Sequence, residues 1–462
     1  MGSEWREITL EDALEFVVDN RGKTVPVSDL GVALIATNCV SNNNLYPEHI
    51  NVRHVAQETY NNWFRSHPQP NDILLTNKGS KNGAVCLVPD PVDFCIAQDM
   101  VALRADRSKI DPSYLFAALR SPNIQAQIKQ LNVDSVIPHF KKTDFDKLYI
   151  PLPAEDEQKQ IGSIYLNFSK KIELNRQMNA TLEGMAQALF KSWFVDFDPV
   201  IDNALAAGNP IPDALAARAE IRRQLLADGR ANREAAKPFP ATFHFTEELG
   251  WIPEGWEVRS IGTIAKAAGG YAFKSKVFRE SGYPVVKIKN IVGNGTVSLS
   301  DTQCIGIEDA HMAEKFSLED GNLLMAMTGA TVGKIGLVVN ENQPAYLNQR
   351  VAKLEGRNIE NLSPFLFCFF REQSNFAQIV GLASGSAQPN ISASGIESIP
   401  CAIPDNDQHT VFTGLVEPHF EKWISNHRLF VNLANLRDTL LPKLISGELR
   451  IPDAEKLVAE AL

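Results

Sequence analysis

Apolar positions along this chain follow two periodicities that alternate from segment to segment. Short apolar runs such as DILLT and AVCLV lie on either side of the 79–83 loop and are broken by Gly, Pro and Asn. That is the pattern of strands joined in hairpins. Residues 112–131 and 364–380 carry helical spacing, and each is followed by an apolar run ending in PLP or AIP. Together these runs predict mixed α/β modules. Ile161, Ile164, Phe168, Lys171, Asn175, Met178, Leu182, Met185 and Leu189 then recur with alternating spacings of three and four. Such spacing is that of a coiled-coil seam.

The same order of elements occurs twice. PNDILLTNKGSKNGAVCLV, from Pro70, aligns with DGNLLMAMTGATVGKIGLV, from Asp320, placing Ile73, Gly79, Gly83 and Val88 on Leu323, Gly329, Gly333 and Val338. The offset is 250 here (329 minus 79). QDMVAL at Gln98 meets QRVAKL at Gln349 at offset 251 (349 minus 98), and residues 135–153 match 386–404 at the same offset. The helical seam returns as Phe412, Leu415, His419, Lys422, Asn426, Leu429, Leu433, Leu436 and Leu440. A period this long implies two similar modules and not a solenoid of short repeats. Both seams carry Asn at an a position, Asn175 and Asn426, preceded by Lys171 and Lys422 at d. A buried a-position Asn fixes register at some cost in stability, so the matching polar layers predict that the two helices pack on each other. The alternative is that each helix covers only its own module.

Residues 199–250 are rich in Ala and Pro and read as a linker, with Asp213 as N-cap of a short helix that Gly229 stops. The tail after Gly447 reads as short and peripheral. The expected division is a recognition module at 1–155, a first spacer helix at 156–198, the linker at 199–250, a second module at 251–405, a second spacer helix at 406–447 and a tail at 448–462.

Composition narrows the class without naming it. Length of 462 residues exceeds one ordinary core, and 44% hydrophobic with 22% charged residues is normal for a folded globular chain. No apolar run is long enough for a membrane span. The opening MGSEWREITLEDAL lacks the regions of a signal peptide, so a cytoplasmic location is expected. Six cysteines form no CxxC pair and read as reduced, buried small hydrophobes. A net charge of -10 disfavours non-specific binding to phosphates. Lys266, Lys274, Lys276, Arg279, Lys287 and Lys289 nevertheless fall in one stretch interrupted only by Glu280.

No catalytic set is present. The segment from Gly329 to Lys334 is one residue short of a phosphate loop, and Ile335 stands where Ser or Thr is required. Its repeat partner has Ala84 in place of the lysine. The acidic residues of the string PDAEK, 452–456, offer no separate carboxylate pair for a metal. Neither a methyltransferase cofactor loop nor an Asn-Pro-Pro-aromatic tetrapeptide occurs. No metal site is expected. What remains is binding chemistry in the repeated loops. Asn77, Lys78, Ser80 and Lys81 surround two glycines, and Thr328, Thr331 and Lys334 occupy the matching loop. Amides and hydroxyls read base edges, and lysines hold phosphates. Gln98, Gln349 and Arg350 add bidentate groups, and Lys274 and Lys276 add charge. Against this stands an ordinary tight hairpin with polar tips.

The order module, helix, module, helix, with QALFKSWFVDFDPV after the first helix, LGWIPEGWEV opening the second copy and LRDTLLPKLISGEL closing the last helix, resembles the specificity subunits of type I restriction-modification systems. The resemblance spans nearly the whole chain. It implies two target recognition domains, each reading half of a split asymmetric site in double-stranded DNA. It implies that the two long helices form an antiparallel coiled coil with pseudo-twofold symmetry, which spaces the domains. It also implies two methyltransferase subunits and two translocase-nuclease subunits as partners. S-adenosylmethionine, ATP and Mg would then be bound by those partners and no cofactor by this chain, which would be a non-catalytic subunit. The linker is longer and richer in Ala than the resemblance leads one to expect. A reading from another class is a duplicated scaffold binding protein or glycan, with the coil as its interface. A stand-alone transcription regulator would carry a helix-turn-helix or basic region, and neither is seen.

Overall fold

The computed structural model describes residues 5–20, 23–132, 137–341, 343–357, 359, 361–383, 389–404 and 406–461. The first few residues of both closing repeats, 135–136 and 386–388, lie outside the described residues. The chain divides into two compact units, Met1–Asn175 with Leu429–Leu462, and Arg176–Arg428.

In the first unit the hydrophobic runs become a four-stranded sheet in the order Leu14–Asp19, Met100–Ala105, Ile73–Thr76, Val85–Leu87. DILLT and AVCLV form its antiparallel hairpin, with Ile73 opposite Leu87. A three-stranded sheet, Arg53–Val55, Val32–Ile35, Phe94–Ile96, adjoins it in the fold, its last pairing parallel. Ile73 to Thr76 are all buried, which explains a continuous apolar run rather than an alternating one. A ribbon pairs Arg6–Thr9 with Tyr149–Leu152. The stretch predicted as one helix is two, Pro112–Arg120 and Pro122–Gln130. Pro122 forbids continuation, and Ser121 ends the first helix and caps the second by accepting from Ile124 N at 3.4 Å.

The second unit repeats this strand by strand. Ala265–Gly269, Val351–Gly356, Leu323–Ala326 and Ile335–Leu337 follow the same order, each 250 or 251 residues beyond its counterpart, with Gly295–Thr296 added at the edge. Gln303–Ile305, Tyr283–Val286 and Ala345–Leu347 reproduce the smaller sheet, with Ser317–Leu318 added. The ribbon becomes Glu257–Ser260 with Pro400–Ile403. The helices become Ser363–Arg371 and Gln373–Leu382.

Each seam is a single helix of 40 residues, Glu155–Phe194 and Asn406–Ile445. Their buried faces correct the heptad reading. The a positions Ile161, Phe168 and Asn175 are buried as expected, but the other seam positions are Tyr165, Ile172 and Ala186, while Lys171, Met178 and Met185 are exposed. The second helix makes the same shift, burying Val416 and Trp423 while exposing Leu415 and Lys422. Spacings of three and of four fit a heptad equally well, and adjacent positions here are often both apolar. The packed face takes the choice that buries Ile172 and Trp423 instead of two lysines.

Within the first unit, Ile161, Tyr165, Phe168 and Ile172 share one core with Leu433, Leu440, Leu441 and Leu444. Within the second, Phe190, Phe194, Phe365 and Phe412 pack with ring centroids 5.1 to 6.2 Å apart. Such pairs add about 0.5–1.5 kcal/mol each beyond area burial. They join both long helices to the module helix Ser363–Arg371. There the two long helices run in opposite directions: Phe190 meets Phe412, whereas Asn179 meets Asn426.

The linker is folded. Asp198–Ala207, Ala216–Ala227 and Arg233–Ala236 are helices. Arg218 bonds Asp198 in bidentate fashion at 2.6 and 2.6 Å, and Arg222 does the same to Asp202, with Nε–Oδ1 at 2.8 Å. The helix 216–227 occurs where it was expected, and Gly229 follows it at φ 68°. Asp213, however, lies in a preceding 3-10 turn and its side chain caps nothing. The tail is not peripheral either. It forms the helix Ile451–Ala461, with Ala454 fully buried in the first unit's core.

Candidate nucleic-acid interface

The repeated loops are held by one backbone frame, built once in each unit. Amides of Asn77 and Met327 donate to the carbonyls of Asp99 and Arg350, both at 3.1 Å. Gly79 and Gly329 donate to Pro138 and Pro389 at 2.9 and 2.8 Å. Gly83 and Gly333 close the turn onto Thr76 and Ala326 at 2.8 and 3.0 Å. Phe140 and Ile391 donate back to Asn77 and Met327 at 3.0 and 2.9 Å. Lys78 faces His139 across an isolated antiparallel bridge, and Thr328 faces Asn390 in the same way.

The glycines are required for two reasons. Gly79, Gly83, Gly329 and Gly333 have φ of 92°, 87°, 78° and 79°, in the left-handed region. A Cβ at Gly333 would also come within 2.9 Å of Ile379 and 3.1 Å of Phe376, so the helix behind the loop occupies that space. The frame therefore fixes where the tip side chains emerge and leaves their identity free. At equivalent positions the first unit carries Lys78, Gln98, Asp99 and His139, and the second carries Thr328, Gln349, Arg350 and Asn390.

In the first loop Lys78, Ser80 and Lys81 are exposed, and Asn77 and Gln98 are half-buried. Asn77 Oδ1 is buried and accepts no hydrogen bond among the described residues. Lys78, Lys81 and Lys141 have no ion-pair partner among the described residues, so the tip is locally cationic in an acidic chain. Burial, and then the adjacent Lys78 and Lys141, hold His139 below its ordinary pKa.

In the second unit Met327, Thr328, Gln349, Arg350, Asn390 and Ser392 line one cleft. Gln349 and Arg350 are exposed, and Thr331 and Lys334 are half-buried. Thr328 departs from expectation. It is 2% exposed, because the 389–391 segment lies across it, and its Oγ1 donates to Asn390 Oδ1 at 3.1 Å. It orients a neighbour and does not itself reach solvent. Lys274 and Lys276 are exposed at a 3-10 turn, Ser275–Val277, apart from the cleft's lining. The rest of the basic stretch is partly engaged internally. Lys287 lies 3.4 Å from the Phe278 ring centroid, and Lys289 bonds the Asp301 carbonyl at 2.8 Å.

His139 and Asn390 were missed as candidates. Their signal was present in the repeat, since each directly follows the matched prolines Pro138 and Pro389. Of the four register residues, Asn175 and Asn426 are buried, at 4% and 3% exposure, whereas Lys171 and Lys422 point outward. Asn426 bonds Asn179, and Asn175 Nδ2 is buried with no hydrogen-bond partner among the described residues.

Comparison with known proteins matches this duplicated arrangement. The family model described as the type I restriction modification DNA specificity domain matches residues 3–184 and again 253–416. The HindI specificity subunit of a type I restriction enzyme, from Haemophilus influenzae, is 26% identical over 403 residues, covering 82% of this chain and 86% of that protein. The MjaIX specificity subunit, from Methanocaldococcus jannaschii, is 26% identical over 344 residues, covering 74% and 69%. The crystal structure of a type I restriction-modification S subunit from M. genitalium shares the fold, with a TM-score of 0.53, 16% identity and 96% coverage of each chain. Two matched domains, one on each copy of the loop frame, place the chain in the type I restriction-modification DNA specificity family.

Proposed function

We propose that this chain reads a two-part DNA site with one module per half and holds the catalytic subunits of its complex around that site. It is the DNA sequence-specificity subunit of a type I restriction-modification system. The observation that carries the two-part reading is the loop frame: one set of backbone hydrogen bonds, made twice, bearing different side chains. That arrangement suits a reader whose scaffold is constant and whose specificity is not. Gln98, Asn77, Gln349 and Arg350 would meet base edges, and Lys78, Lys81, Lys274, Lys276 and Lys334 phosphates. Ser80 and Thr331 suit either role.

The long helices would form an antiparallel coiled coil that sets the distance between modules, giving pseudo-twofold symmetry. A 40-residue helix is about 60 Å long, more than the roughly 34–36 Å of one DNA turn. The boundaries proposed are modules at 1–155 and 251–405, with the long helices and the folded 199–250 segment between and after them. Two methyltransferase and two translocase-nuclease subunits would bind in the cytoplasm, bringing S-adenosylmethionine, ATP and Mg. The chain itself would have no active site.

Salt-dependent binding of duplex DNA by the assembled complex tests the reading. Affinity for a specific duplex should fall linearly with salt on logarithmic axes, and purified chain alone should transfer no methyl group. A duplicated scaffold for protein or glycan would give no DNA binding at any salt concentration.

A further inference from the structure

We infer that Asn390 is a specificity-determining residue of the second module, held in its reading orientation by Thr328. The inference rests on the specificity reading above and adds to it a residue and a direction of hydrogen bonding. Asn390 is exposed, yet it is fixed from both sides. Gly329 N donates to the Pro389 carbonyl at 2.8 Å, and Ile391 N donates to the Met327 carbonyl at 2.9 Å, so the backbone at 390 is clamped between two bonds. Its side chain is fixed as well, because the buried Thr328 hydroxyl donates to Oδ1 at 3.1 Å. Thr328 is β-branched and stiff at χ1, which suits it to a positioning role.

With Oδ1 engaged by Thr328, Nδ2 of the exposed Asn390 is left with no acceptor among the described residues. Gln349 and Arg350 line the same cleft, both exposed, and their side chains have no bonding partner among the described residues. The cleft thus offers three donor-bearing side chains over one short stretch of surface. Their chemistry matches the acceptors that purines present in the major groove, guanine N7 and O6 and adenine N7. The remaining lone pair of Oδ1 can accept from adenine N6. In the first module the same place holds His139 beside an exposed Lys78, so the two modules would read different bases through one frame.

The test uses the complex of the full chain with its methyltransferase partner, a randomised duplex DNA library, and sequencing of the bound fraction. Wild type should enrich a two-part site. Asn390→Ala should lower the preference at one base pair by about tenfold or more, the discrimination expected of a bidentate contact. Thr328→Val, which keeps the shape but removes the hydroxyl, should weaken preference at that same base pair and no other. Asn390→His, which places the first module's residue in the same frame, should change the base chosen there. The other half-site should be unaltered in all three. Unchanged preference in assembled Asn390→His and Thr328→Val complexes would overturn the inference and leave the specificity reading standing. Loss spread evenly over both half-sites would also overturn it, since that is the signature of structural damage. If wild type enriches no sequence, the specificity reading fails and the inference fails with it.

Discussion

Asn426 donates its side-chain amide to Oδ1 of Asn179 at 3.0 Å, and Asn179 in turn donates to the Trp423 carbonyl at 3.1 Å. The polar layer of this helix pair therefore joins Asn426 to a residue one turn beyond Asn175, the residue with which it shares a repeat position.

A double-mutant cycle checks that pairing. Asn179→Leu alone leaves Asn426 Nδ2 buried without an acceptor, which should cost about 1–3 kcal/mol. Adding Asn426→Leu should recover most of the loss, since replacing both partners with apolar groups approaches neutrality. Denaturant unfolding of the four proteins measures the coupling. Strictly additive costs would mean the two side chains do not interact.

The folded segment between the copies depends on buried ion pairs. Asp202 is 3% exposed and is held by Arg222, whose own side chain is 13% exposed. Arg222→Leu should destabilise the second unit by about 3–5 kcal/mol, because it leaves an uncompensated buried carboxylate. Arg222→Leu combined with Asp202→Leu should lose much less. Thermal unfolding of each variant shows the difference, and equal losses would contradict the pairing.

His427 lies flat against Trp423, with ring centroids 5.5 Å apart, and burial followed by the nearby Arg176 charge lowers its pKa from 6.5 to about 4. The folded state thus resists protonation that the unfolded chain accepts. This contribution to stability is complete above pH 6.5 and is lost progressively as pH falls from 6.5 through about 4, amounting to about 3 kcal/mol at most. Unfolding measured from pH 7.5 to 4 should show that decline, and His427→Phe should flatten it. An identical pH profile in the variant would assign the decline to other groups.

Much of this architecture was legible in the residues, and the failures have physical causes. The repeat at 250 to 251 residues carried through to nearly every strand and helix, because each copy must bury the same faces. The seam was misplaced at Lys171 and Lys422 because spacing alone does not separate i+3 from i+4. Of the linker only one short helix is legible, because the rest of its folding depends on Asp198–Arg218 and Asp202–Arg222, pairs twenty residues apart that leave no periodic signal. Thr328 reads from the sequence as a tip residue because the segment that covers it, around Asn390, is remote along the chain. Local composition does not reveal such tertiary cover.

Whether each module reads its own half-site is decided by exchanging residues 1–155 for the same region of a relative with a different target. The exchanged chain is expressed with its methyltransferase partner in a host lacking other methylation, and the methylome is sequenced. One half of the recognised site should change to the relative's sequence while the other half and the gap stay the same. Alteration of both halves together in an active, assembled complex would contradict it.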